Sequence, residues 1–298
     1  MNGSGAALPG LRLITPSTRA ILGEGPVWDE RTQTLYWVDI DRGQLHHCQA
    51  DGSNQGSTQI GQRIGCIALR RMEPGFIAGL ERSIALLTLN PLTIRTLGPV
   101  DAHLLNHRCN DGKCDSAGRF WVGTYTEAAT HATDWFFRLD AAGALTRAAG
   151  PFNCANGPAF SPDGKIAYCV DTYGKVVYRY NVTPSGGLSG QKIFQRFAAE
   201  GLGFPDGLTC DVSGCVWIAQ WGASRVSRFS PEGELLEAIH LPVAQPTSCA
   251  FGGPELKRLF ITTASQGLDA ASNANGLAGA VFAADLQVGG LPAARFDG

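Results

Sequence analysis

The chain reads as an all-β protein, and within that class as a six-bladed β-propeller. Three observations predict this. Strands launched by a recurring turn open at Leu35, Phe76, Arg119, Lys165, Cys215 and Arg258, 41 to 50 residues apart, so six similar units span the chain. Each such strand is apolar and rich in β-branched or aromatic residues, from Leu35-Tyr36-Trp37-Val38 to Leu259-Phe260-Ile261-Thr262, as expected of strands covered on both faces. No window of ten or more residues sustains a helical period.

The clearest unit is Phe204-Pro205-Asp206-Gly207-Leu208-Thr209-Cys210-Asp211-Val212-Ser213-Gly214-Cys215-Val216-Trp217-Ile218. An acid precedes a glycine, a short apolar run follows, and an Asp-x-x-Gly turn leads into the next strand. Copies begin at Asn110-Asp111-Gly112 and Asn156-Gly157-Pro158, and a looser one at Glu24-Gly25-Pro26. Further strands follow in each unit. Gly174–Asn181 and Ala223–Phe229 alternate as edge-type strands do, and turn signals such as Asp51-Gly52, Pro184-Ser185-Gly186-Gly187 and Pro231-Glu232-Gly233 close the hairpins. The dipeptides of WD40 repeats are missing from the expected places. A ring must close or leave edge strands unpaired, so Leu11-Arg12-Leu13-Ile14 is expected to pair beside Gly279–Ala284. Residues 1–10 are then a flexible N-terminus, and 11–298 a single propeller domain.

Composition narrows the function. The chain has 298 residues, 44% hydrophobic and 17% charged, with a formal net charge of -2. Lysine and arginine form no cluster and the acids form no tail, which argues against nucleic acid and membrane partners. The start, Met1–Gly10, lacks the charged and apolar regions of a secretion signal. The nine cysteines are scattered and form no CxxC pair, the pattern of buried free thiols in a reducing compartment. A cytoplasmic monomer is the expectation. The six histidines have no HExxH or triad-like setting and read as surface or packed side chains. Asp39 and Asp171 end strands expected on the channel side and should bond backbone. Most tryptophans should be core, with Trp221 a candidate for the channel mouth.

The residues five before each turn opener carry the chemistry. At this phase stand Glu24, Ile67, Asn110, Asn156, Asp206 and Cys249. Two carboxylates and two amides brought together in a channel repel and desolvate one another unless a cation sits among them. All-oxygen ligands suit a hard divalent cation: Ca, Mg or Mn, with Fe(II) or Zn also compatible.

Gly23-Glu24-Gly25-Pro26-Val27-Trp28, Leu35-Tyr36-Trp37-Val38-Asp39-Ile40, Arg108-Cys109-Asn110-Asp111-Gly112-Lys113, Asn156-Gly157, Ser161-Pro162-Asp163-Gly164-Lys165, Pro205-Asp206-Gly207 and Phe251-Gly252-Gly253 together resemble the senescence-marker-protein/gluconolactonase/regucalcin family of six-bladed propellers, over residues 11 to 290. The resemblance implies that Glu24, Asn156 and Asp206 hold one divalent metal, and that Asp206 doubles as general acid/base. It also implies that Arg108 and Asn110 face the substrate. The family's substrate-binding acid lies in a loop that usually reads Gly-Thr-Met. Here the loop reads Gly123-Thr124-Tyr125-Thr126-Glu127, and Glu127 is its nearest acid. The implied activity is metal-dependent opening of a sugar lactone, such as a glucono-, xylono- or arabinono-lactone, to the aldonic acid. The alternatives are a non-catalytic, regucalcin-like divalent-cation-binding protein and a phosphotriesterase-like propeller hydrolase.

Overall fold

The recurring turn forms as its residue types dictate. Asp115 Oδ1 accepts the backbone N–H groups of Ala117 and Arg119 at 3.0 and 3.1 Å, and Asp211 Oδ1 accepts those of Ser213 and Cys215 at 2.9 and 3.1 Å, the local bonding that makes aspartate a turn opener. Each second carboxylate oxygen accepts an indole N–H from the strand that follows, Trp121 at 2.8 Å and Trp217 at 3.1 Å. Turn and strand are thus keyed together by one side chain. In the first unit Asp29 accepts the Arg31 N–H at 3.1 Å and also pairs with Arg295, near the C-terminus.

The computed structural model describes residues 10–101 and 106–298. Among the described residues twenty-four strands form six four-stranded antiparallel sheets. Blade one holds β2 (Gly23–Asp29), β3 (Thr34–Asp39), β4 (Gln44–Gln49) and β5 (Gly56–Gln59). Blade two holds β6 (Ile64–Leu69), β7 (Phe76–Leu80), β8 (Ser83–Leu89) and β9 (Leu92–Pro99). Blade three holds β10 (His107–Cys114), β11 (Phe120–Thr126), β12 (Asp134–Leu139) and β13 (Leu145–Phe152). Blade four holds β14 (Ala155–Phe160), β15 (Ile166–Asp171), β16 (Val176–Val182) and β17 (Leu188–Arg196). Blade five holds β18 (Phe204–Cys210), β19 (Val216–Trp221), β20 (Arg225–Phe229) and β21 (Leu235–His240). Blade six joins β22 (Pro246–Gly252), β23 (Arg258–Thr263) and β24 (Phe282–Asp285) to β1 (Arg12–Leu13) from the other end of the chain.

The first strand of each sheet packs on the first strand of the next, and β22 packs on β2, so the ring is complete. Closure occurs where expected: Arg12 pairs with Ala283 and Leu13 with Phe282. Buried Ile14 donates its N–H to Val281 O at 2.9 Å. The proposed flexibility of the N-terminal residues concerns positions that, up to residue 9, lie outside the described residues. Among the described residues the only helix is one 3₁₀ turn, Pro254–Leu256, and no helix is long and apolar enough to cross a membrane.

The core lies between blades. One cluster joins Cys66, Ile77 and Ile84 of blade two to Cys109, Phe120 and Val122 of blade three. Burying each large aliphatic or aromatic side chain contributes about 1.5–3 kcal/mol, so neighbouring sheets hold one another. Trp28, Trp37, Trp121 and Trp217 are fully buried. All nine cysteines are free and buried.

Two sequence expectations need correction. Asp39 and Asp171 do bond backbone, the one accepting from Ile21 N at 2.8 Å and the other from Asn153 N at 3.0 Å. They end β3 and β15, however, which are second strands and not channel-side ones. Ile67 and Cys249 are not equivalent to the four polar phase residues. Both sit on the regular ladder, Ile67 opposite Ala78 and Cys249 opposite Ile261. The irregularity in those blades falls earlier, at Gly65 and Thr247: each of the six bulges inserts one extra residue, but β6 and β22 leave one position unpaired where β2, β10, β14 and β18 leave two.

Candidate active site

The bulges place the site. In β2 the ladder breaks between Glu24 and Val27, in β10 between Cys109 and Gly112, in β14 between Asn156 and Ala159, and in β18 between Pro205 and Leu208. A bulge re-aims a side chain that a regular strand would keep in its sheet. Gly25 and Gly157 adopt φ 51 and 86, conformations that glycine accepts without a Cβ penalty. Glu24, Asn110, Asn156 and Asp206 consequently line one cavity of about 320 Å³.

All four are buried, at 5%, 5%, 4% and 5% exposure respectively. Asn110 Nδ2 donates to Asn156 Oδ1 at 2.8 Å and to Ala155 O at 3.0 Å. Asn156 Nδ2 donates to Thr172 Oγ1 at 2.8 Å, which fixes the orientation of the second amide. Arg108 donates to Asn110 Oδ1 at 2.6 Å and to Cys109 O at 3.1 Å, and its guanidinium lies 5.0 Å from the centre of the Tyr125 ring. Five of the six site residues read from the sequence are therefore buried in one cavity wall, and Glu127 joins them at its more open part. The Glu127 side chain is half exposed and pairs with Arg63, which also holds Glu81 at 2.8 Å.

The buried carboxyls of Glu24 and Asp206 are both shifted toward their neutral forms. Burial, then the nearby charge of Asp111, pushes the Glu24 carboxyl up to about 8, against the opposing pull of the Gly25 N–H and of Lys113 and Arg108. Asp206 is raised well above the usual carboxylate range by burial and then by Glu24 and Asp111. Two buried carboxyls with no ion pair among the described residues and one oriented amide oxygen match the oxygen donors a hard divalent cation takes. Among the described residues no three His, Cys, Asp or Glu gather as a metal cluster. The set here has two carboxylates, and its third oxygen belongs to an amide.

Sequence reasoning passed over several wall residues. Thr172 follows the end of β15 and orients Asn156. Tyr125, Tyr173 and Phe204 form a chain of rings, 5.9 Å between successive centres, and Trp221 lines the cavity with them as expected. These rings come from three different blades, so no single motif announces them. Asp111 had a signal, the acid directly after Asn110, but its direction is opposite. It accepts the Gly112 N–H at 2.7 Å and the Gly157 N–H at 3.1 Å and faces a second cavity.

Residues 22–265 match the SMP-30/Gluconolactonase/LRE-like region. The chain belongs to this family. Among its relatives, the 6-deoxy-6-sulfogluconolactonase of Pseudomonas putida is 37% identical over 94% of this chain and 96% of its own. The L-arabinolactonase of Azospirillum brasilense is 36% identical over 97% and 96%. Among solved structures, a calcium-binding protein, regucalcin, from Agrobacterium tumefaciens superposes with a TM-score of 0.90 at 25% identity, covering 96% of this chain and 97% of that one. The family thus includes proteins named for lactone opening and proteins named for binding a cation.

Proposed function

We propose that the chain is a divalent-metal-dependent hydrolase that opens a sugar lactone to its aldonic acid. The observation that carries this reading is the joint burial of Glu24, Asn156 and Asp206 in one cavity wall beside Arg108 and Asn110. The lactonase relatives support the reaction class.

In this reading Glu24, Asn156 and Asp206 hold the cation, which supplies Lewis-acid polarisation of the lactone carbonyl and offsets the two buried negative charges. Asp206 takes a proton from the attacking water as the new carbon–oxygen bond forms. It returns a proton to the ring oxygen as the ring carbon–oxygen bond breaks. Arg108 and Asn110 orient the lactone through charge-assisted and neutral hydrogen bonds. Glu127, held by Arg63, accepts from sugar hydroxyls at the more open part of the cavity.

A pH-drop assay on glucono-, xylono- and arabinono-lactones, run with and without a chelator, tests the proposal. Opening that stops on chelation and returns with added divalent cation supports it. Opening that persists after full chelation removes the metal from the reaction. A protein that binds a cation and opens none of the panel belongs with the non-catalytic reading.

A further inference from the structure

The channel holds two cavities of opposite charge. The active-site cavity is lined by the carboxyl groups of Glu24, Asp41, Glu127 and Asp206 against one cation, Arg108. Adjacent residues of the same bulges face the other way. Gly25 and Asp111, next in sequence to Glu24 and Asn110, line a second cavity of about 430 Å³. There the balance is reversed, with Arg31, Arg71, Lys113 and Arg295 against Asp111 alone.

Two of those arginines are engaged: Arg295 pairs with Asp29, and Arg71 with Asp297. Arg31 donates to Arg71 O at 2.9 Å and pairs with no carboxylate among the described residues. Lys113 reaches in from β10. Among the described residues its ammonium donates one hydrogen bond, to Leu208 O at 2.8 Å, and stands 3.9 Å from Asp111. An ammonium has three N–H groups, and 24% of this side chain stays accessible although it lies in the channel. Trp28, another wall residue, has an indole N–H without an acceptor among the described residues. A buried donor left in this state is costly. The rest of the wall is largely hydrocarbon: Val27, Ile67, Ala159, Phe160, Phe251 and Leu291.

We propose that this second cavity binds a small organic carboxylate, its head on Lys113 and its apolar body against the hydrocarbon wall. One negative charge and two acceptor oxygens match the spare N–H groups, and an apolar body matches the walls. An inorganic dianion would bring charge toward Asp111 and leave the hydrocarbon surface unused. Residues Leu291–Arg295 line the same cavity, and Arg295 is tied to Asp29, so the C-terminal segment forms part of the binding wall.

Ligand-observed fluorine NMR of the full chain with 4-fluorobenzoate tests this, with 4-fluorobenzyl alcohol as the neutral analogue. The expected result is saturable binding of the acid, with the alcohol about tenfold weaker or worse, because a hydrogen bond to a charged group is lost. Lys113→Met should weaken the acid by a similar factor. Ala250→Phe, which keeps Lys113 but fills wall space, should also weaken it, so the test survives if the lysine variant does not fold. Asp206→Asn should bind the acid as the unaltered chain does. No saturable binding, equal binding of acid and alcohol, full binding in the Ala250 variant, or loss of binding in the Asp206 variant alone would each overturn the proposal. The last outcome would place the ligand in the active-site cavity.

Discussion

Asn110 Nδ2 donates to Asn156 Oδ1 at 2.8 Å, and this bond ties a residue assigned to substrate to a residue assigned to metal. The resemblance to the family separates the two roles. The geometry couples them, since the oxygen that Asn156 would offer a cation is already oriented by Asn110 from one side and, through its own amide, by Thr172 from the other.

Asn110→Ala is therefore expected to do two things. Activity on a lactone should fall by about tenfold or more as a positioned donor is lost. Metal affinity should also drop, by about 10-fold and no more than 100-fold, the range for removing a partner that orients a ligand. Titration of the metal by isothermal calorimetry checks the second effect. An affinity identical to that of the unaltered chain would show that the 2.8 Å bond does not orient Asn156 for the cation.

The pH dependence of the metal-free chain follows from Glu24. In the folded chain burial and the charge of Asp111 raise its carboxyl from the ordinary glutamate range to about 8. The folded chain then keeps a proton that the unfolded chain releases, so stability is fully present below the unfolded value and is lost as pH rises through the folded one. One such group gives a slope of at most about 1.4 kcal/mol per pH unit. Chelated protein should therefore melt at a lower temperature at pH 8 than at pH 5, and Glu24→Gln should flatten the difference. Cation binding displaces the same proton, so metal affinity should rise across this window. A chelated chain whose melting temperature climbs from pH 5 to pH 8 would contradict the assignment.

Ring closure rests on few residues. Ile14 is 3% exposed, and Thr15 Oγ1 accepts the Val281 N–H at 2.9 Å. Ile14→Ala should cost about 2–5 kcal/mol, the usual range for emptying a buried aliphatic site, and should lower the denaturant midpoint without altering the active-site wall. A loss below about 0.5 kcal/mol, the size of a surface change, would mean that the ring stays closed without this contact.

Much of this was legible in the sequence because a propeller repeats one solution. Asp115 and Asp211 open turns by the same bonds, and the strands they launch carry tryptophans that bond back to them. The side chains re-aimed by the bulges were legible too, because Glu24, Asn110, Asn156 and Asp206 are all polar at one offset. Blades two and six were misaligned because their bulges contain Gly65 and Thr247, so counting back from the turn arrives at Ile67 and Cys249 on the regular ladder. The Arg63–Glu127 pair and the path of the C-terminal segment were hidden for another reason. Both join residues far apart in the chain: Arg70 bridges Phe296, and Asp211 bridges Gly290. No local period encodes such contacts.

The nine thiols offer a simple check on the core. Burial pushes Cys48, Cys109 and Cys249 up to about 12, so little thiolate exists at neutral pH and reagent has no access. Native protein should react slowly, if at all, with a thiol reagent, and denatured protein should release nine equivalents. One fast-reacting thiol in the native state would show that a blade opens.

Arg108 and Asp206 should part company when substituted. Arg108 bonds Asn110 Oδ1 and lies over the Tyr125 ring. Lysine keeps the charge but loses the planar fork and the stacking surface. Arg108→Lys should retain the metal and lose kcat/KM by about tenfold or more. Part of the loss should appear in KM, because a contact made in the ground state as well as the transition state acts on binding. Asp206→Asn keeps the shape but removes a proton acceptor and one negative ligand. Its kcat should fall by roughly the 10²–10⁴ of a lost acid/base, with a further loss from weaker metal binding. Steady-state kinetics at saturating metal, corrected for spontaneous lactone opening, separates the two. If Arg108→Lys abolished metal binding while Asp206→Asn kept normal turnover, both assigned roles would be wrong.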